Sequence, residues 1–303
     1  MTKIEPTIIR LALLTTALFL PAAAGAQQDF SNVEIRTVPV ADGVYMLVGS
    51  GGNIGVSVGE DGVVVIDDQF APLTDKILSA IREISDGPIR FVLNTHWHGD
   101  HTGGNENMGK TGALLVAHDN VRARLTVDQV LDRFGTISET PAAPEGAWPV
   151  VTFDQTVTFH LNGDEAQVFH TPNAHTDGDA IIHYRNANVF HMGDTYFAGR
   201  FPFIDTGSGG SIDGAIAAHD RVLELADANS RIIPGHGELS NSAELREARR
   251  MLQTVRERVA AAVADGKSLD EISAMNPGAE WEEGEEASAG QVRLIQAILS
   301  SLP

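Results

Sequence analysis

The sequence predicts a single α/β domain in which two mixed β-sheets pack face to face and helices cover their outer faces. Strand-like and helix-like segments fall into two comparable halves, residues 30–135 and 150–303, and each half runs through strands before its helices. The apolar run Val63–Ile66 has the pattern of an interior strand that is buried on both faces. A length of 303 residues is compatible with one large domain, and no internal repeat indicates a solenoid.

The first half begins with two predicted hairpins. Glycines at both ends of Gly59-Glu60-Asp61-Gly62 suit a tight turn, and Asp86-Gly87-Pro88 stops the first helix. The predicted elements are, in order, strands over 32–39, 44–48, 53–58 and 63–67, a helix over 73–84, strands over 89–93 and 113–117, and a helix over 120–134.

The second half follows residues 135–150, which are rich in Pro, Ala and Gly. We expect a surface excursion there rather than a domain linker, because strand-like segments resume at once. The predicted elements are strands over 155–161, 166–171, 180–184 and 189–192, a helix over 212–226, a strand over 231–233, and helices over 242–264, 269–274 and 288–302. The acidic segment 280–286 is expected to be solvated.

Residues 1–26 have the pattern of a secretory signal peptide. Lys3 and Arg10 give a basic start, Leu11–Leu20 is a short apolar run, and Ala24-Gly25-Ala26 is a small-residue cleavage signal. The apolar run is shorter than the roughly 20 residues of a membrane span. We therefore expect cleavage after Ala26 and a periplasmic or secreted domain over 27–303, free of the membrane; an uncleaved anchor is the alternative.

Charge and cysteine content restrict the possible partners and chemistry. The net charge of −20 argues against nucleic acid or anionic membrane surfaces as partners and leaves a small molecule as the expected substrate. Cysteine is absent, which excludes disulfides, thiolate ligands and a thiolate nucleophile. Any metal must therefore be held by His, Asp or Glu. The oligomeric state stays open.

A dense group of possible metal ligands follows the predicted strand over 89–93. His96, His98, Asp100 and His101 fall within six residues, flanked by glycines, on a loop at a strand end. Imidazole and carboxylate together suit Zn²⁺ and similar metals. A solvated histidine-rich loop is the simpler alternative, but this spacing favours a metal site.

Three more ligand-type residues, His175, Asp194 and His236, each follow a strand-like segment in the second half. Side chains at strand ends can converge on one rim of a sheet sandwich, where loops shape a site. Each residue alone could belong to an ordinary turn or helix cap. Together with the first loop, they predict one composite metal site.

Thr95–Asn105, His175, Gly193-Asp194 and the turn Pro234–Gly237, in this order, resemble the metallo-β-lactamase superfamily. The resemblance covers nearly the whole chain after residue 26 and implies an αββα sandwich with two zinc ions at one edge. It also implies a role for each ligand-type residue. In this assignment His96, His98 and His175 hold the first zinc, Asp100, His101 and His236 hold the second, Asp194 bridges the two, and Asp67 or Asp68 orients an imidazole ring from behind.

The expected activity is hydrolysis by a hydroxide shared between the two zinc ions, with Asp100 as both ligand and acceptor of the nucleophile's proton. The segment 204–212 resembles a substrate-flanking loop of zinc β-lactamases, which favours a cyclic amide, most directly a β-lactam. Trp97 and Tyr196 are candidate pocket residues. Arg200 is a candidate carboxylate anchor, because those enzymes commonly have Lys where this chain has Phe197, and Cys where it has Asp194.

Two alternatives remain open at this stage. The same motif is similar to that of lactonases and other ester or thioester hydrolases, although export would separate the enzyme from cytosolic glutathione conjugates. A different class of protein, a non-catalytic periplasmic metal-binding module, would bind the metals and hydrolyse nothing.

Overall fold

The computed structural model describes residues 29–133, 135–281 and 287–302. Within these residues the strands are β1 (Arg36–Ala41), β2 (Val44–Val48), β3 (Ile54–Gly59), β4 (Gly62–Ile66), β5 (Ile89–Leu93), β6 (Leu114–His118), β7 (Gln129–Arg133), β8 (Thr136–Thr140), β9 (Val151–Phe153), β10 (Thr156–Leu161), β11 (Asp164–His170), β12 (Ala180–Tyr184), β13 (Val189–His191), β14 (Arg231–Ile233) and β15 (Ser240–Asn241). The α-helices are α1 (Thr74–Ile84), α2 (Gly99–Thr102), α3 (Asn105–Lys110), α4 (Asp119–Leu125), α5 (Ile212–Leu225), α6 (Ser242–Ala264), α7 (Leu269–Ala274) and α8 (Ala287–Ser301).

The first sheet has the strand order β1-β2-β3-β4-β5-β6-β9. Its strands β1 to β4 are antiparallel, whereas β4, β5, β6 and β9 run parallel. All five residues of β4 are buried, as the apolar run Val63–Ile66 predicts for a central strand covered on both faces.

The second sheet has the order β10-β11-β12-β13-β14-β15 and is antiparallel except between β13 and β14. The inner faces of the two sheets share one apolar layer. Its members include Met46, Ile66, Leu93 and Val116 from the first sheet and Val168, Ile182, Val189 and Ile233 from the second.

Helices cover both outer faces of the sandwich. On the first sheet, Ile77 of α1 packs against Val65 and Val92. On the second, Val222 of α5 packs against the layer that contains Phe190. The predicted αββα sandwich is therefore confirmed, because alternate strand residues supply an inner and an outer apolar layer to each sheet.

One predicted element is wrong. The helix expected over 120–134 ends at Leu125, and the antiparallel hairpin of β7 and β8 follows. Leu131 of β7 is buried against Trp97, Val121 and Leu125, and this tertiary packing outweighs local helix preference. Strand β8 also occupies residues 136–140 of the loop expected over 135–150.

Other element boundaries agree to within a few residues; the largest shift is in β1, which starts at Arg36 rather than at residue 32. The predicted signal peptide, residues 1–26, lies outside the described residues, as does most of the acidic segment 280–286. Among the described helices, none combines the length and apolarity needed to span a bilayer.

Candidate metal centre

The ligand-type residues reach one edge of the sandwich from four strand ends. The loop after β5 carries His96 and His98, the short helix α2 that follows it carries Asp100 and His101, the loop between β11 and β12 carries His175, the turn after β13 carries Asp194, and the turn after β14 carries His236. Ends of strands from both sheets meet at this edge, so residues as far apart in sequence as Asp100 and His236 become neighbours. The structure thus brings together all seven residues that the sequence nominated.

The seven side chains form two groups in which potential ligand atoms lie within 4.8 Å of one another. The first group is His96, His98, His175 and Asp194, and the second group is Asp100, His101 and His236. In the first group, His98 Nδ1 lies 3.1 Å from His96 Nε2 and 3.0 Å from His175 Nε2. The division of the histidines between the groups is the one that the resemblance implied.

Asp194 connects the two groups. Its Oδ2 atom lies 3.6 Å from His175 Nε2 in the first group and 3.3 Å from His236 Nε2 in the second. Its Oδ1 atom lies 3.0 Å from His101 Nε2. A carboxylate in this position can share its two oxygens between two cations.

Four of the five rings are oriented by a partner on the nitrogen that faces away from the group. The contacts are His96 Nδ1 to Thr95 Oγ1 at 3.1 Å, His98 Nε2 to Asp205 Oδ2 at 2.8 Å, His101 Nδ1 to Asp67 Oδ2 at 2.7 Å, and His175 Nδ1 to the Phe203 carbonyl at 2.8 Å. Such partners fix the tautomer and the direction of a metal-binding imidazole. His98 consequently presents Nδ1 to the group, and the other rings present Nε2.

Of the two aspartates proposed to orient a ring, Asp67 contacts one and Asp68 does not. Asp67 also accepts hydrogen bonds from the Thr95 amide at 2.8 Å and the Thr95 hydroxyl at 2.7 Å. These bonds hold it at φ 62°, a left-handed conformation that non-glycine residues adopt rarely. Asp68 points elsewhere, because its Oδ1 accepts the Gly104 amide at 2.9 Å at the start of α3.

Sequence reasoning missed Asp205 as the partner of His98. Asp205 is fully buried and also accepts a hydrogen bond from Ser208 Oγ at 2.7 Å. The sequence places Asp205 only within the segment 204–212, which resembles a substrate-flanking loop. A carboxylate next to a possible pocket was the available signal, but its pairing with His98, 107 residues away, is a tertiary event.

The pKa is lowered for two of the rings and raised for two others. Burial lowers the pKa of His96 well below its ordinary value and that of His175 to about 4, so both rings are neutral and can donate a lone pair. Burial opposes protonation of His101 and His236 as well, but the Asp194 carboxylate holds the pKa of His101 well above its ordinary value and raises that of His236 to about 9. In turn, despite burial, His101 and His236 hold the pKa of Asp194 well below its usual range.

The residues present fit divalent metal binding. His101 Nε2 and Asp194 Oδ1 are buried and 3.0 Å apart, and beyond this contact neither has a hydrogen-bond partner in the described part of the chain. Unsatisfied buried polar atoms are costly, and a cation between them would satisfy both. Five imidazoles and two carboxylates, with no cysteine in the chain, form a donor set that suits Zn²⁺ and similar divalent metals.

A cavity of about 750 Å³ opens above the two groups. Trp97 and Arg200, both proposed as pocket residues, line it, together with Phe70, Phe197, Phe201, Phe203, Trp281 and Arg293. Tyr196 does not line it: the ring is 2% exposed in the layer between the second sheet and α5, and its hydroxyl lies 2.8 Å from Ser240 Oγ. The proposal for Tyr196 is therefore wrong, because the chain turns after Asp194 and directs this side chain into the core.

Comparison with known proteins agrees with this architecture. The sequence model of the metallo-beta-lactamase superfamily matches residues 47–236. The chain belongs to this superfamily. The matched segment includes all seven ligand-type residues, whereas helices α6 to α8 lie outside it.

Among curated relatives, the hydroxyacylglutathione hydrolase of Nitrosococcus oceani is 31% identical over 156 residues, which are 51% of each chain. That of Pelagibacter ubique is 27% identical over 111 residues, 36% of this chain and 37% of the relative. The chain thus spans about half or less of the length of these curated relatives.

Similar solved structures include a metallo-beta-lactamase from Pontibacter korlensis, with a TM-score of 0.61 and 16% identity over 73% of this chain and 99% of that one. A stereoselective inverting sec-alkylsulfatase from Pseudomonas sp. has a TM-score of 0.65 and 18% identity over 86% of this chain and 50% of that one. At these identities the superfamily's solved structures support the fold and leave the substrate open.

Proposed function

We propose that this protein is a zinc-dependent hydrolase that binds two Zn²⁺ ions per chain and opens a cyclic amide in a small molecule, most directly a β-lactam. The observation that carries the proposal is the arrangement of two ligand groups joined by Asp194 at the floor of an aromatic-lined cavity. His96, His98, His175 and Asp194 would hold one ion, and Asp100, His101, His236 and Asp194 the other.

When bound, the two ions supply Lewis acidity towards a carbonyl oxygen and a water whose pKa is lowered towards neutrality. The chain's own contribution to proton transfer comes from Asp100. Burial opposes its ionisation, but a hydrogen bond from His236 holds the pKa of Asp100 below its ordinary value. Its side chain is 27% exposed, and Asp100 lines the cavity, so Oδ2 can accept the proton of an attacking water.

Binding of an anionic substrate is supported by the cavity walls. Arg200 and Arg293 both line the cavity, and neither has a carboxylate partner within the described part of the chain, although the net charge is −20. The Arg200 guanidinium lies 5.3 Å from the centre of the Phe197 ring. A β-lactam combines a carboxylate with apolar side groups, and both features match these walls.

Thioester hydrolysis is the second candidate, supported by the 31% identity to a hydroxyacylglutathione hydrolase. A hydroxyacylglutathione is also anionic, and the same two ligand groups would serve its carbonyl. Lactones and aryl esters belong to this candidate as well, since the metal chemistry is common to all of them.

A substrate panel on metal-quantified protein tests the proposal. Zinc-loaded wild type, chelated protein and zinc-restored protein are compared on nitrocefin, penicillin, an acyl-glutathione thioester, a lactone and an aryl ester. We expect β-lactam turnover that disappears with chelation and returns with zinc. Turnover of thioester or lactone alone would replace the β-lactam by the second candidate, and metal binding without any turnover would identify a non-catalytic metal-binding module.

We also propose export to the periplasm or medium, supported by the signal-like pattern of residues 1–26. Protein recovered from the periplasm should begin at Gln27 by N-terminal sequencing. An intact N-terminus on cytosolic protein would contradict this.

A further inference from the structure

His236 differs from the other four rings of the site. Each of those rings has a partner on its outward nitrogen, whereas no such hydrogen bond is made to His236 Nδ1 by residues 29–133, 135–281 or 287–302. The His236 ring stacks on Phe197, with 5.1 Å between ring centres and 18° between planes. Its position therefore depends on this stacking contact and on the backbone of the turn that carries it.

That turn, Pro234–Gly237, is held partly by backbone bonds, from Gly235 N–H to the carbonyls of Gly193 and Tyr196 and from Ala198 N–H to the His236 carbonyl, and partly by Asn53. The two hydrogens of the Asn53 amide donate to the carbonyls of Pro234 at 3.0 Å and Gly237 at 2.9 Å, and the Asn53 backbone N–H donates to the carbonyl of Gly235 at 2.7 Å. These three bonds lie on both sides of His236. Asn53 is only 3% exposed, so few water molecules could replace these hydrogen bonds if its amide were removed.

Residues 52 and 53 also make hydrogen bonds toward the segments that carry Asp194 and Asp100. Its carbonyl accepts a hydrogen bond from His191 Nε2 at 3.1 Å, and the Gly193 amide, next to Asp194, donates to His191 Nδ1 at 3.3 Å. The preceding Gly52 donates its N–H to the carbonyl of Asp100 at 3.1 Å. The segment 52–53 thus contacts the backbone beside Asp100, Asp194 and His236 at once.

We propose that Asn53 is a positioning residue that holds His236 in place and thereby sets the affinity of the second group for its metal ion. The inference depends on the proposed function only in requiring that the two groups bind metal. A purely structural role of Asn53 would not distinguish the metal affinities of the two groups. In this proposal, loss of the Asn53 amide lowers the metal affinity of the second group and leaves that of the first group unchanged, because the outward partners of His96, His98 and His175 do not involve Asn53.

The experiment compares wild type with Asn53→Ala by titrating metal-free protein with Co²⁺ and, in competition with a chelator, with Zn²⁺. Absorption of bound Co²⁺ and the stoichiometry report the two ions separately. We expect the affinity for one ion, the one held by the second group, to fall roughly 10- to 100-fold, as for other partners that orient metal ligands, with the affinity for the other ion unaffected. Asn53→Ser, which retains a hydroxyl donor, should show a smaller loss.

Asn162→Ala is the matched control. The Asn162 amide donates to the Gly62 carbonyl at 3.0 Å and, like that of Asn53, connects two turns. These turns lie at the opposite end of β4 and β11 from the metal groups. Circular dichroism and thermal unfolding establish that each variant is folded. Asn162→Ala should lower stability and leave both metal affinities at their wild-type values.

A double-mutant cycle identifies the route of the effect. In a His236→Ala background, Asn53→Ala should cause no further loss of affinity, since the two residues then act on the same ligand. Unchanged affinity for both ions in Asn53→Ala, equal weakening of both ions, or failure of both Asn53 variants to fold would overturn the inference while leaving the proposed function intact. Wild-type protein that binds no metal would overturn both.

Discussion

The two ligand groups differ in how completely the fold fixes them. In the first group, the side chains of His96 and His175 are 1% exposed, and all three histidines have outward partners. In the second group, His236 is 17% and Asp100 27% exposed at the cavity, and among the described residues an outward partner is found only for His101. The difference shows that one group is preformed by buried contacts, whereas the other combines one buried ligand with two at the solvent boundary.

This comparison has a physical consequence for metal affinity. In the first group, the neutral rings of His96 and His175 are already oriented and need little reorganisation to accept a cation. His101 and His236 of the second group must first lose the protons that Asp194 stabilises on them. We therefore expect unequal affinities, with the second group the weaker.

Replacing the residue that joins the groups should have the largest effect. In Asp194→Ala both groups lose a carboxylate, so neither ion should be retained at wild-type affinity, and hydrolysis should fall to the rate of the metal-free protein, because metal catalysis supplies several kcal/mol. Metal analysis after dialysis and steady-state kinetics measure this. Retention of two tightly bound ions would show that the groups are independent.

Removal of one ligand from each group separates their roles. His98→Ala should release the tighter ion and Asp100→Ala the weaker one, and both should abolish measurable hydrolysis, Asp100→Ala by about 100- to 10,000-fold through loss of the proton acceptor. Both variants should retain the wild-type circular dichroism spectrum. Wild-type-like turnover by either one would contradict its assignment.

A smaller change, confined to the second group, should follow from Gly52→Ala. A Cβ atom at residue 52 would lie 2.1 Å from Cε1 of the His101 ring. The ring cannot move away freely, since its Nδ1 lies 2.7 Å from Asp67. We expect the weaker ion to lose roughly 10- to 100-fold in affinity, measured by chelator competition, with the tighter ion unchanged. Equal losses of metal affinity at both groups would indicate that the substitution disturbs the whole edge of the sandwich that carries the ligands.

The last prediction concerns pH dependence. Although burial opposes it, Asp194 raises the pKa of His236 to about 9 and holds that of His101 well above its ordinary value, so a metal must displace a proton from each of these rings. The affinity of the second group should therefore rise with pH by about tenfold per pH unit for each ring that is protonated. Burial lowers the pKa of His175 to about 4, so His175 imposes no such dependence on the first group near neutral pH. Metal titrations between about pH 6 and 9 test this. If metal affinity rose equally steeply with pH for both ions, the proposed difference in protonation between the two groups would be contradicted.

The accuracy of sequence reasoning varied with the kind of interaction involved. Ligand-type residues after β5, β13 and β14 were recognisable, because metal chemistry restricts the residue types and strand ends are marked by apolar runs. Strand β7 was predicted as a continuation of α4, and β8 as part of a loop, since the burial of Leu131 against Trp97 has no local signature. Tyr196 was misplaced for a similar reason: its direction is set by a turn and by contact with Ser240, 44 residues later.

The sequence by itself determined the αββα class, the seven ligand-type side chains and their division into two groups. These features depend on residue chemistry, on the period of apolar residues and on a family motif, all of which can be read locally. Only the tertiary structure decided which other residues support the ligands: Asp205 behind His98, Asp67 rather than Asp68 behind His101, and Asn53 beneath His236. Asn and Asp are ordinary residues in the sequence, and they acquire these roles only when the fold brings them within 3 Å or so of a distant partner. The separations are 34 residues for Asp67 and His101, 107 for His98 and Asp205, and 181 for Asn53 and Pro234.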